Sequence, residues 1–80
     1  MSEHLKFLGR RQELEQKKLS LKIQIEGLVK NLRDALDPFE AIENLRVDAI
    51  AEWSFELAGA YDGYRAILEE LRKIKEILGR

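Results

Sequence analysis

Apolar residues recur along this chain in alternating steps of three and four, twice over, with one interruption near the middle. The first run is Phe7, Arg11, Leu14, Lys18, Leu21, Ile25, Leu28, Leu32 and Ala35; its second half is wholly apolar, and its first half is broken by Arg11 and Lys18. The second run is Ile50, Trp53, Leu57, Ala60, Tyr64, Ile67, Leu71, Ile74 and Leu78, which holds its register across four heptads. Within it, Tyr64 needs its hydroxyl to reach water or a partner. This spacing keeps one face of a helix turned toward a neighbouring helix. It predicts a helix over about 3–36, a connector over about 37–47 and a second helix over about 48–79, all in one domain spanning residues 1–80.

The interruption is Asp37-Pro38-Phe39-Glu40. Pro38 is the sole proline; it has no amide hydrogen and disfavours helix in Asp37. Asp37 suits an N-cap, Pro38 the first helical position, and Glu40 the place from which a capping-box carboxylate reaches back. Residues 39–46 read as a short helical turn or a structured loop, with the long helix restarting near Asp48, a further N-cap candidate, because the apolar register begins at Val47 and Ile50. Phe39, Ile42 and Leu45 are available to cap the apolar seam. Ser2 is the expected N-cap of the first helix and Gly79 the stop of the second. Gly9, Gly27, Gly59 and Gly63 weaken the helices at about 1 kcal/mol each relative to alanine, but the register passes through them unaltered.

Folding the arms back on each other gives an all-α, antiparallel two-helix hairpin of coiled-coil type. The expected pairs are Ala35 with Ile50, Leu32 with Trp53, Leu28 with Leu57, Ile25 with Ala60, Leu21 with Tyr64, Leu14 with Leu71 and Phe7 with Leu78. Arms of this length make a rod roughly 50 Å long at 1.5 Å per residue. Leu8, Val29 and Leu36 on one arm, with Tyr61, Leu68 and Ile77 on the other, widen the apolar stripe beyond what one partner helix covers. A homodimer closing a four-helix bundle is the expected completion. The residues assigned to seam and self-association are Leu21, Ile25, Leu28, Leu32, Ile50, Trp53, Leu57, Tyr61, Tyr64, Ile67, Leu68, Leu71, Ile74 and Leu78. A weaker second stripe holds Leu5, Leu8, Gln12, Leu19 and Ile23. Phe55 and Ile23 point off the seam and are the candidate surface for another protein.

Composition narrows the picture. Eighty residues with 45% apolar and 36% charged side chains suit a small amphipathic helical domain rather than a disordered chain. One proline and few Thr or Val argue against an all-β fold. There is no cysteine to staple the domain, which is compatible with a reducing interior, so the cytoplasm is the expected location. The first eleven residues do not read as a signal peptide, and no apolar run reaches the 18 or so residues of a membrane span.

Net charge is −1, but residues 1–33 carry eight basic against four acidic side chains and residues 34–80 six against eleven. In the hairpin, Lys6, Arg10, Arg11, Lys17, Lys18 and Lys22 fall beside Arg72, Lys73, Lys75 and Arg80, so the terminal end is positive. The loop end collects Asp34, Asp37, Glu40, Glu43, Asp48, Glu52 and Glu56. The six basic residues of the first arm are the candidate phosphate contacts of an alternative function, a nucleic-acid-associated accessory protein. Against it stand the pI near 5.8 and the absence of aromatic side chains interleaved with the lysines. Antiparallel dimerisation that sets positive ends on negative ends is the preferred reading.

Nothing points to catalysis, a metal or a cofactor. His4, the sole histidine, lies in the first turn without organised neighbours. Glutamates at helical spacing lack the Glu-x-x-His pattern of bundle metal sites, and no phosphate-binding or nucleophile-elbow pattern occurs. Arg11 and Lys18, the polar residues within the seam register, can carry their charged ends to the surface.

In size, hairpin pattern and the strings Met1-Ser2-Glu3-His4 and Leu32-Arg33-Asp34-Ala35-Leu36-Asp37-Pro38, the chain resembles small coiled-coil proteins encoded in Mu-like prophages. That resemblance implies a small, soluble bacterial or phage accessory protein and carries over no functional residue. The expected function is a non-enzymatic helical interaction and assembly module that binds a second copy of itself, with a further protein as a candidate partner.

Overall fold

The computed structural model of the chain describes residues 2–79, with the backbone alone at Ser2; the expected N-cap contact of Ser2 and the charge of Arg80 lie outside the described part. Helix α1 runs Ser2–Ala35 and helix α2 runs Val47–Leu78, with a single 3-10 turn, Ile42–Asn44, between them. The two helices pack against each other as a hairpin. Its extents are 63 × 17 × 14 Å and its radius of gyration is 18.0 Å, against about 12 Å for a compact chain of this length. The molecule is a rod.

The helix ends follow from backbone chemistry. The Leu36 amide donates the last helical bond, 2.9 Å to the Leu32 carbonyl, after which Pro38 has no amide hydrogen to continue the ladder. Asp37 does not cap a helix as the capping-box pattern suggested. Its Oδ1 accepts from the Phe39 amide at 2.9 Å while its carbonyl accepts from the Glu40 amide at 3.1 Å. The side chain therefore closes a turn two residues on, the local alternative that competes with helix in aspartate. A second bonded turn follows, with Asn44 and Leu45 donating to Ala41 and Ile42. Helix α2 opens one residue before Asp48, which sits in its first turn near the positive end of the dipole rather than at the cap. At the far end Gly79 holds right-handed angles, φ −77° and ψ −4°, with its amide on the Lys75 carbonyl. A Cβ there would lie 2.8 Å from that oxygen, a clash glycine avoids.

Buried apolar side chains run along the seam: Leu14, Leu28 and Ala35 from α1, Ala60 and Ile74 from α2, of which Leu14 is fully enclosed. The other seam positions, Phe7, Leu21, Ile25, Leu32, Ile50, Trp53, Leu57, Tyr64, Ile67, Leu71 and Leu78, are half-buried, as two helices alone dictate. The register is visible at mid-rod, where Leu21 Cδ1 lies 3.5 Å from the position a Cβ would take on Gly63, next to the expected Tyr64. The loop differs from expectation. Phe39 is 94% and Ile42 82% exposed, so neither caps the seam, and Leu45 alone of the three is half-buried.

Gly59 stands on the solvent side of α2 with nothing within 4 Å of an added Cβ. Gly59→Ala is expected to stabilise the hairpin by up to about 1 kcal/mol by restricting the unfolded chain and favouring helix, a rise in melting temperature of roughly 4–8 °C at this size. A fall in thermal scans would mean that another backbone approaches this glycine.

Candidate interaction surface

In an antiparallel pair, residues that directly follow the inner seam positions of both helices fall on one side of the rod, and those that directly precede the alternate seam positions fall on the other. The two flanks of this hairpin differ in kind. The first carries Leu8, Val29 and Leu36 from α1 with Val47, Tyr61 and Leu68 from α2, interrupted by Glu15, Lys22, Ser54 and Lys75. Leu5, one turn before Leu8, and Leu19, three turns beyond it, extend the same stripe. Most of this apolar surface lies open: Leu5 is 62%, Leu19 59%, Leu36 55% and Val47 63% exposed, with Tyr61 and Leu68 also exposed. Tyr61 and Leu68, grouped by sequence with the seam and self-association residues, stand at the rim of the seam because each follows a seam position, 49% and 38% exposed.

The second flank is polar in α1 and mixed in α2, where Ile77, expected beside Tyr61 and Leu68, precedes a seam position and so falls here, 52% exposed. Arg10, Lys17, Gln24 and Asn31 precede seam positions in α1, and Ala49, Glu56, Gly63, Glu70 and Ile77 do so in α2. Here the Arg10 guanidinium forks onto both carboxylate oxygens of Glu70, at 3.0 and 3.1 Å, and also reaches Glu13 at 3.2 Å. The hydrogen bond and charge of Glu70 hold Arg10 above its ordinary pKa, with Glu13 adding to the effect. Sequence spacing set Arg10 level with Lys75 and grouped it with the free basic residues. The structure instead pairs it across the hairpin, since a long guanidinium reaches more than a turn along the partner helix.

The six candidate phosphate contacts do not form one face. Lys6, Arg11, Lys17 and Lys22 are exposed, Arg10 and Lys18 are half-buried, and the set winds around α1 with Glu13 and Glu15 among them. Arg11 and Lys18 do meet Arg72 and Lys75 across the apolar flank, where with Glu15, Leu68 and Leu71 they line a groove of about 220 Å³. Arg72 in that groove is already held by Glu69 and Glu76 of its own helix. Ile23 and Phe55, 61% and 83% exposed, lie at the outermost position of different helices and point away from each other. They make two separate apolar points rather than one surface. Two guanidiniums cover aromatic faces: Arg46 lies 5.5 Å from the Trp53 ring centre and Arg65 6.0 Å from that of Tyr61.

Glu69 carries the lowered carboxylate of the terminal half, held below its ordinary value of 4.5 by the hydrogen bond and charge of Arg72. A carboxyl group with a depressed folded-state pKa stabilises the fold above that ordinary value, and its contribution disappears as pH falls through the lowered one. Glu69→Gln is therefore expected to lower the melting temperature slightly at neutral pH and by less near pH ~3, below the ordinary carboxylate value. Equal losses at both pH values would remove the ion pair as the cause.

Among the described residues no cluster of His, Asp and Glu is placed to hold a metal ion, and no helix is long and apolar enough to cross a membrane. No protein-family model, curated protein or solved structure matches the chain.

Proposed function

We propose that this chain is a helical assembly module that works by self-association, two hairpins closing a four-helix bundle across their apolar flanks. The observation that carries this reading is the concentration of exposed apolar side chains on one flank of the rod: Leu5, Leu19, Leu36, Val47 and Tyr61 are roughly half or more exposed there, while on the other flank Ile77 alone is a large apolar side chain left open. The surface area agrees. The hairpin exposes 6549 Å², whereas a compact protein of 9.3 kDa exposes roughly 5,000 Å². Small scaffolds without disulfides or metals reach adequate stability through regular helix packing or oligomerisation, and five buried residues among those described make a thin core.

The role is one of scaffolding rather than chemistry, in keeping with the accessory protein that the prophage resemblance implies, and a reducing interior is the setting that the lack of cysteine favours. Ile23 and Phe55 stay outside the bundle and are free for another protein. The basic side chains of α1 favour a nucleic-acid role less, because they are dispersed around the helix and Arg10 is already paired. Sedimentation equilibrium at micromolar concentration tests the proposal. A mass of twice 9.3 kDa is the expected result, and a stable, fully helical monomer rejects it.

A further inference from the structure

Two hairpins stacked flank to flank have two symmetric choices: loops at the same end or loops at opposite ends. We propose that the second copy docks antiparallel, with the loop of each subunit lying over the terminal turns of the other; this rests on the self-association reading above. Charge, apolar pairing and area all bear on the choice.

Residues 20–65, the loop half, carry nine acidic against five basic side chains. The described terminal half, residues 2–19 and 66–79, carries eight basic against six acidic. A parallel dimer would gather Asp37, Glu40, Glu43 and Asp48 of both copies at one end, within about a 10 Å Debye length of each other. It would also set the basic groove of Arg11, Lys18 and Lys75 on its own equivalent. Antiparallel docking sets unlike halves together at both ends, which steers encounter and selects orientation.

Full overlap of two antiparallel rods puts the two-fold axis level with Ser20 and Leu21 in α1 and with Tyr64 and Arg65 in α2. Each helix then lies along its own equivalent. Leu5 comes opposite the partner's Leu36, and Tyr61 comes opposite the partner's Leu68, so exposed apolar side chains meet in register at the ends and near the middle. Glu26, the one acid on the apolar flank of the loop half, comes level with the partner's Glu15, with the partner's Arg11 and the partner's Lys18 about one turn to either side. The exposed Phe39 and Ile42, which cap nothing within their own chain, reach the partner's first turns, where Leu5 lies open. A 63 × 17 Å face presents roughly 1,000 Å² in projection, so two facing copies bury on the order of 2,000 Å², at the threshold of stable homodimers.

A nitroxide spin label at Glu40→Cys tests the orientation, because the chain holds no other cysteine and Glu40 lies outside the proposed apolar pairing. Pulsed dipolar spectroscopy on a sample whose mass is checked by sedimentation is expected to give an interspin distance close to the 63 Å length of the rod. A distance within about two helix diameters, ~25 Å, overturns the antiparallel arrangement and leaves self-association standing. A monomeric mass overturns both.

Discussion

Leu14→Ala is expected to cost about 2–5 kcal/mol, the largest loss any single truncation in this hairpin should produce. Leu14 is 1% exposed and is the largest fully enclosed side chain among the described residues. Its removal takes away the transfer free energy of three carbon atoms, and it leaves a cavity that two stiff helices close only in part. A domain of this size is stable by only several kcal/mol, so the variant should be largely unfolded under conditions where the parent is folded. Leu14→Met conserves volume and should cost under about 1.5 kcal/mol. Urea titration followed by far-ultraviolet circular dichroism measures both. A Leu14→Ala loss near that of the methionine variant would mean that the seam does not close around this residue.

The pair Leu19→Glu and Leu68→Glu should weaken self-association at least about a hundredfold, equivalent to some 2.7 kcal/mol. Leu19 faces outward from the single hairpin, 59% exposed, while Leu68, 38% exposed, lies at the rim of the contact between α1 and α2, so far-ultraviolet circular dichroism must first show that the variants keep the helices. In the bundle each enters an apolar layer, where a leucine contributes about 1.5–3 kcal/mol on full burial and an unpaired carboxylate is strongly disfavoured. The two-fold doubles every substitution. Asn31→Glu adds the same charge on the polar flank and should leave the association constant unchanged. Sedimentation equilibrium on the three proteins reads the difference directly. Equal weakening by both kinds of substitution would point to net charge rather than to the apolar flank.

The pairing of Arg10 with Glu70 and the openness of Phe39 show where reading along the chain stops being enough. Both charged residues precede a seam position, so each can be assigned to a flank from sequence. That they meet depends on the relative advance of the two helices and on the reach of a guanidinium. Phe39 and Ile42 looked available to cover the seam end, yet the loop satisfies its backbone locally through Asp37 and the turn at Ile42–Asn44. With its amides bonded within the connector, the chain turns over before these side chains can point back between the helices.

By itself the sequence determined two helices, their ends to within about a residue, and the seam, because apolar residues at alternating three and four steps have one helical face on which to lie and Pro38 admits no continuous helix. The stripe of Leu8, Val29 and Leu36 with Tyr61 and Leu68 was legible too; what only the tertiary structure decided is which flank each apolar residue joins. Packing moves Ile77 to the opposite flank, pairs Arg10 with Glu70 there, and leaves the loop tip uncovered. Periodicity specifies which residues face a partner helix. The geometry of packing specifies which remaining apolar residues stand side by side, and so where a second copy can bind.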